Sequence, residues 1–328
     1  MILFLIKIKY LIDRYILKMN NKSSDSLSGL VLHTSTQPYM SKISIVARRN
    51  IYHYFVEYIE SIIYWFDKYD IKNKLVFDDD KDLYQKIDDS DFIISVQLLL
   101  LDSVKVRDIM KRVIILNLEQ NTRKTYYYQH ILNLIQRGYF IVDYHLGNID
   151  FMNKETNGVY EKQILYLPYL YCSRDKILSK KKRSKDVCFV GTVTQYRYNL
   201  LNEIRKDVNV DVITNFGDQR DNILSDYKII LNLHADESYQ VFETIRCYRC
   251  IFNHILVISE DKKYKENNIV DEMCIFSDRK DIVSRIKNTL ENYHKISKEK
   301  YDGNKDKEFI SWSEDKMRGF IERLNNIN

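Results

Sequence analysis

Between Lys228 and Glu260 the chain reads KIILNLHADESYQVFETIRCYRCIFNHILVISE, with its polar residues gathered at one junction. Ile229, Ile230, Leu231 and Leu233 form an apolar run of the kind a strand covered on both faces requires. The run carries Asn232 and His234 at its end, then passes through the small and acidic residues Ala235–Ser238. A helix pattern follows, with Phe242, Ile245, Tyr248 and Phe252 on one side and Glu243 and Arg246 on another. An amide, an imidazole, a carboxylate and a guanidinium are thereby delivered to a strand end and a helix start, the place where open α/β sheets hold ligands. Glu243 and Arg246 are also three residues apart, so an ion pair on a solvated helix face is the other reading of that pair.

A second set of candidates lies upstream. In FVGTVTQYR, Gly191 follows an apolar run, where a glycine lets the amides of Gly191 and Thr192 approach a phosphate. Arg197 is placed to add a charge-assisted contact. Asn215, Phe216 and Gly217 end the next apolar run, as an ordinary Asn-x-Gly turn or as part of a ligand site. FDDDKD, with Asp78 and Asp80 after an apolar run, has the look of an Asp-x-Asp metal–diphosphate motif and equally of an acidic loop. Cys247 and Cys250 make a CxxC with no second pair beside it, inside a helix pattern, which favours packing over metal or redox chemistry.

These residues need strands to present them. The pattern predicts strands over 41–47, 74–77, 91–96, 113–118, 140–143 and 163–167, with helices over 50–69 and 125–136 between them. A second run of the same kind has strands over 186–190, 210–214, 229–233, 255–258 and 273–276, with helices over 198–206, 221–226, 242–252 and 280–295. Strands alternating with helices indicate doubly wound parallel sheets, so the fold class is α/β with two Rossmann-like domains. The expected divisions are an extension over 1–39 (amphipathic, then disordered), a first domain over 40–173, a basic linker over 174–185, a second domain over 186–300, and a terminal helix over 301–328. Ser311 and Glu314 have the spacing of a capping box for that helix.

At 328 residues the chain has room for two cores, and 45% hydrophobic with 30% charged residues is a globular composition. A net charge of +5 is modest, and the dense basic run KKKRSK reads as a solvated linker rather than a nucleic-acid patch. Five scattered cysteines point to a reducing, cytoplasmic compartment. The opening MILFLIKIKYLIDRYILK is interrupted by Lys7, Lys9, Asp13 and Arg14, too soon for a bilayer span. It reads as a segment making weak contact with a membrane surface, or as an extension upstream of a start at Met19 or Met40.

The order LNLH, then FE at a helix start, then VISE resembles the donor-binding half of GT-B glycosyltransferases, particularly the domains related to spore-coat-maturation proteins. The pattern LNLEQ, VDYHLGNIDFM and ILYLPYLY is similar to the acceptor half of related polysaccharide-synthesis proteins. The resemblance covers roughly residues 113–260. It implies two domains facing across a cleft and a terminal helix crossing back to the first. It also implies a nucleotide-sugar co-substrate, no bound cofactor or metal, and a glycan, protein or lipid acceptor. Glu243 would accept the ribose hydroxyls, with Gly191, Thr192, Arg197, Asn215, Phe216, Gly217, Asn232 and Arg246 around the donor and Phe216 beside the base. Thr244, Ile245, Arg246 and Cys247 depart from the small residues and glycine that follow this glutamate in the relatives. Gln120, Asp143, Tyr144 and Asn148 would lie on the acceptor side. For catalysis Glu119 and His234 are the candidates, with Asp143 and His145 next; a retaining mechanism would turn to Asp236 or Glu237, and the stereochemistry stays open. An inactive nucleotide- or glycan-binding protein and a nucleic-acid-binding protein acting through the linker are the alternatives.

Overall fold

A computed structural model of the chain describes residues 40–101, 107–177 and 183–327. The expected extension over 1–39 and Lys180–Lys182 of the basic run lie outside the described residues.

Strands β1 (Lys42–Ala47), β2 (Lys72–Phe77), β3 (Phe92–Val96), β4 (Val113–Asn117), β5 (Phe140–Asp143) and β6 (Ile164–Tyr166) form a sheet in the order β2-β1-β3-β4-β5-β6. Every pairing in it is parallel. β3 and β4 are buried along their whole length, which is why they read as unbroken apolar runs. Strands β7 (Lys185–Val190), β8 (Val210–Ile213), β9 (Tyr227–Asn232), β10 (Leu256–Glu260) and β11 (Ile275–Ser277) form a second parallel sheet in the order β11-β10-β9-β7-β8. In this sheet the chain runs from β7 to β8 on one side and then returns to β9 on the other. That reversal opens a crevice beyond the carboxyl ends of β7 and β9, the switch point where doubly wound sheets bind ligands.

Helices α1 (Val56–Lys68), α2 (Leu83–Ile87), α3 (Tyr126–Gln136) and α4 (Leu146–Glu155) accompany the first sheet. Helices α5 (Gln195–Ile204), α6 (Gly217–Leu224), α7 (Thr244–Phe252), α8 (Ile282–Glu291) and α9 (Tyr293–Tyr301) accompany the second, and α10 (Lys305–Asn325) follows. In α1 the buried set Tyr58, Ile59, Ile62, Trp65 and Phe66 recurs at three- and four-residue steps. Its polar atoms reach the segment that leaves the first sheet: Tyr58 Oη donates to the Leu167 carbonyl at 2.5 Å and Trp65 Nε1 to that of Tyr171 at 2.8 Å. α10 touches the same segment, with Ser313 Oγ accepting from Tyr171 N at 2.8 Å. Tyr169 stacks on Phe252 of α7 at 6.0 Å and Phe252 meets Phe309 of α10 at 5.1 Å, so one apolar cluster joins both sheets and the terminal helix.

Three expectations about elements fail. α10 begins at Lys305, so Ser311 and Glu314 lie inside it and form no capping box. Asp306 and Glu308 in its first turn suit a helix start through the helix dipole. The single helix expected over 280–295 is two, α8 and α9, divided at Asn292. The described end of the basic run is only partly solvated: Ser184 and Lys185 are exposed, but Arg183 donates to the carbonyls of Asn253 and His254 at 3.0 and 2.6 Å, closing the C-terminus of α7.

Candidate active site

On the second sheet, Gly191 stands at the end of β7 with φ +132°, a conformation that favours glycine. A Cβ there would lie 3.8 Å from Arg246 Nη2, so the Arg246 guanidinium faces this turn. Arg246 Nη1 donates to Asn232 Oδ1 at 3.0 Å and to Glu243 Oε2 at 3.1 Å. Glu243 is the N-cap residue of α7, one position earlier than a first-turn residue. His234 Nδ1 lies 3.3 Å from Glu243 Oε2, a close contact rather than an aligned hydrogen bond, and Arg197 Nη2 lies 3.8 Å from Oε1. Burial alone would push the Glu243 carboxyl up, but Arg246, His234 and Arg197 more than reverse it, down to about 2. The cradle is therefore a carboxylate fixed in its ionised form among cations at the switch point.

One expected catalytic group and two residues expected to touch a donor support this cradle from within. His234, the catalytic candidate, is fully buried, with its backbone N–H donating to Glu260 Oε2 at 2.7 Å, so its ring backs Glu243 rather than opening to the crevice. Asn232 is fully buried, spanning Ser259 Oγ at 3.0 Å and Arg246. Arg197 is buried too: its Nε and Nη1 donate to the Leu233 and Thr192 carbonyls at 2.9 and 2.8 Å, tying the two loops together instead of facing a diphosphate. Thr192 and Asn215 are exposed and Gly217 starts α6. Phe216 is 46% exposed and meets His53 and Tyr54 of the first half edge-on at 5.0 and 5.3 Å.

Facing this cradle is the loop after β4. Glu119 is half-buried and accepts from Gln97 Nε2 at 3.0 Å. Burial raises its pKa, against the opposing pull of Arg123 and the Gln97 bond. Gln97 holds this contact from a left-handed backbone, φ +70°, which costs about 1–3 kcal/mol at a non-glycine residue. Asp143 and Asn148, expected on the acceptor side, are fully buried beneath the loop. Asp143 accepts from Asn117 Nδ2 at 2.7 Å, Asn121 Nδ2 at 3.2 Å, Asn148 Nδ2 at 3.0 Å and the His145 amide at 3.0 Å. Burial dominates these bonds and lifts its pKa to about 7. Asn148 Nδ2 also donates to the Glu119 carbonyl at 2.9 Å. Through these bonds the two residues shape the loop from beneath, with no surface open to the crevice. Tyr144 is also buried and Tyr239 half-buried, and the charges of both Glu119 and Glu243 add to burial in raising their pKa values.

Gln120 is the fourth correction on this side. It is buried, and its amide pairs with the second half: Nε2 donates to the Val241 carbonyl at 2.9 Å and Oε1 accepts from Val241 N at 3.1 Å. Arg123 crosses in the same direction, lying 4.1 Å over the Tyr239 ring and 3.4 Å from Ser238 Oγ. The Asp78–Asp80 loop is neutralised by its neighbours: Arg48 pairs with Asp78, Arg49 with Asp79 and Asp80, and Lys86 with Asp80. Cys247 and Cys250 are buried thiols pushed up by that burial, Cys250 to about 11. Gln97, Asn117, Glu260 and Tyr239 belong to the site and were not singled out from the sequence. LNLEQN and VISE do carry Asn117 and Glu260 at strand ends, which is the signal that locates them.

No family model matches the chain. An uncharacterized protein of Acanthamoeba polyphaga mimivirus is 32% identical over 157 residues, 47% of this chain and 54% of its own length. A second uncharacterized protein of the same virus is 26% identical over 275 residues, 78% of this chain and 30% of its own. The chain thus spans about half or less of the curated relatives it matches. Among solved structures, an alpha-glucosyltransferase in complex with UDP-glucose and DNA containing an abasic site superposes with a TM-score of 0.55 at 13% identity, over 88% of this chain and 99% of that one. Two parallel doubly wound sheets, a switch-point cradle on the second, and this superposition together give the chain the GT-B fold of glycosyltransferases.

Proposed function

We propose that this protein transfers a sugar from a nucleotide-sugar donor to an acceptor hydroxyl, with the donor on the second half and the acceptor on the first. The observation that carries the reading is the arginine-lined cradle of Gly191, Glu243 and Arg246 at one switch point, opposite a half-buried carboxylate, Glu119, with a raised pKa. Glu243, held ionised, accepts hydrogen bonds from the ribose hydroxyls. The turn at Gly191 and Thr192 and the Arg246 guanidinium receive the diphosphate. Glu119 takes the proton of the acceptor hydroxyl as its oxygen bonds to the anomeric carbon. The bond from that carbon to the phosphate oxygen breaks, and the nucleoside diphosphate leaves with the electron pair, its charge met by Arg246. A base on the acceptor side makes this an inverting displacement. With a cation already at the phosphates, transfer proceeds without a divalent metal.

UDP-sugars are the first donors to try, because the superposed alpha-glucosyltransferase is in complex with UDP-glucose. Calorimetry with UDP-, GDP-, CMP- and TDP-sugars, followed by measurement of sugar release with and without EDTA, tests the reading. One nucleotide sugar is expected to bind and to be slowly hydrolysed, equally well with chelator. No binding across the panel refutes the proposal; binding without turnover refutes the enzyme; loss of turnover in EDTA refutes metal independence.

A further inference from the structure

Among the contacts that join the two halves, one is built like a rung of a sheet. Gln120 presents its side-chain amide to the Val241 backbone and makes both available hydrogen bonds, at 2.9 and 3.1 Å. Both residues are buried, Gln120 at 4% exposure and Val241 at none, so water does not compete for either bond. The positions of the partners matter as much as the bonds. Gln120 adjoins Glu119, and Val241 lies two residues before Glu243.

Neither end is free to drift. On the first half, Asn148 Oδ1 accepts from Asn121 N at 3.0 Å while its Nδ2 holds the Glu119 carbonyl at 2.9 Å, and Asp143 secures Asn148 and Asn121 from below. On the second half, Val241 pairs in parallel with Tyr264, and Phe242 N donates to the Tyr264 carbonyl at 3.1 Å. A displacement of Gln120 relative to Val241 is therefore passed to Glu119 on one side and Glu243 on the other.

We propose that Gln120 is a positioning residue, whose paired bonds to Val241 set the spacing between Glu119 and the Glu243–Arg246 cradle. The purpose of that spacing rests on the glycosyltransferase reading; the clasp itself does not.

Gln120→Ala and Gln120→Glu test the proposal in the full chain. A protonated carboxylic acid can present one donor and one acceptor to Val241, as the amide does there, whereas a carboxylate repels the Val241 carbonyl. In Gln120→Ala, nucleotide-sugar affinity by calorimetry is expected to stay within about twofold of the parent while turnover falls about tenfold or more, since a buried peptide group left unpaired is costly. The Val241 amide should exchange hydrogen faster than in the parent. Gln120→Glu should behave like Gln120→Ala at pH 8 and recover toward the parent at pH 5, a pH dependence that a packing role does not produce.

A second measurement does not depend on activity. All five cysteines are buried, so spin labels attach selectively to Tyr126→Cys and Tyr198→Cys, two exposed positions on opposite halves. The distance distribution between them should broaden when Gln120→Ala is added. Unchanged turnover, an equal loss of affinity and turnover, or an unaltered Val241 exchange rate and label distance each overturns the positioning role. If the parent binds no nucleotide sugar, the transferase reading fails, and Val241 exchange and the label distance alone decide the clasp.

Discussion

Glu243 and Glu119 occupy opposite electrostatic situations, one lowered and one raised, and the contrast defines what each is able to do. Glu243 is held ionised at any ordinary pH, with a pKa of about 2 imposed by Arg246, His234 and Arg197 against its burial. Such a group accepts hydrogen bonds and does not move protons. Glu243→Gln should weaken nucleotide-sugar binding at least about tenfold, the equivalent of 1.4 kcal/mol, because a neutral amide neither receives ribose hydroxyls as strongly nor keeps Arg246 aimed at Gly191. Unchanged affinity by calorimetry would remove Glu243 from the donor site and leave it an internal ion-pair partner. Glu119 carries a raised pKa through burial, the condition of a carboxylate able to take a proton. The acid limb of kcat/KM should therefore have its midpoint above the ordinary glutamate value and should vanish, with most of the activity, in Glu119→Gln. An acid limb that survives this substitution assigns the base elsewhere.

At the scale of elements, α4 and α10 show how differently two glycines are constrained. Gly147 lies in the first turn of α4, and a Cβ there would come within 2.5 Å of Tyr264 Cβ and 3.1 Å of His145 Nδ1. Tyr264 is held by its backbone, donating to the Gln240 carbonyl at 3.0 Å and accepting from Phe242 N, so it cannot swing aside. Gly147→Ala should destabilise the protein by about 1–3 kcal/mol through overpacking at this seam. Gly319 sits in α10 with nothing within 4 Å of its would-be Cβ. There alanine should stabilise by about 0.5–1 kcal/mol, because glycine loses more backbone entropy in a helix. Denaturant titration of the two variants beside the parent checks both signs, and a neutral Gly147→Ala would mean that the seam is looser than its contacts indicate.

At the scale of the whole molecule, the seam between the halves contains a second carboxyl whose state depends on pH. Glu266 of the second half accepts from the Leu146 amide at the start of α4 at 2.8 Å, from Asn268 Nδ2 at 2.9 Å and from the Tyr166 hydroxyl. Burial raises its pKa to about 8 despite these bonds, with Asp271 adding to the rise. His145, 3.7 Å away, is itself depressed to about 3 by burial and stays neutral, so it offers no compensating charge. A carboxyl with a folded pKa above its unfolded value contributes stability that is complete below the unfolded value, about 4.3. That contribution is lost as pH rises through the folded value. Asp143, lifted to about 7, acts in the same direction. The melting temperature should decline between about pH 5 and pH 8. Glu266→Gln should retain more of its stability across that range, by about 1–3 kcal/mol. A parent melting temperature that is level from pH 5 to pH 9 contradicts this account of the seam.

Periodicity and composition were enough to establish the alternation of strands and helices, because the buried strands β3, β4 and β9 can be covered only by helices and so read as apolar runs. That Glu243, Arg246, Gly191 and Glu119 stand by strand ends and a helix start was legible for a related reason: such a junction is a local feature, and polar residues crowded there stand out. α4 was not legible, since LGN is a poor helix opening whose first amides are taken by His145 Nδ1 at 2.9 Å and by Glu266, which lies 120 residues away in the chain. Nor does spacing distinguish a residue that meets a ligand from one that holds another residue in place. Asn232, His234, Gln120, Asp143 and Tyr144 lie at or just after strand ends, and Arg197 and Asn148 in the first turn of the helix that follows one; all look alike in the sequence, yet each is buried. Burial is set by what packs over a position from distant parts of the chain, so only the tertiary structure could divide the candidates into the few that line the crevice and the many that support them.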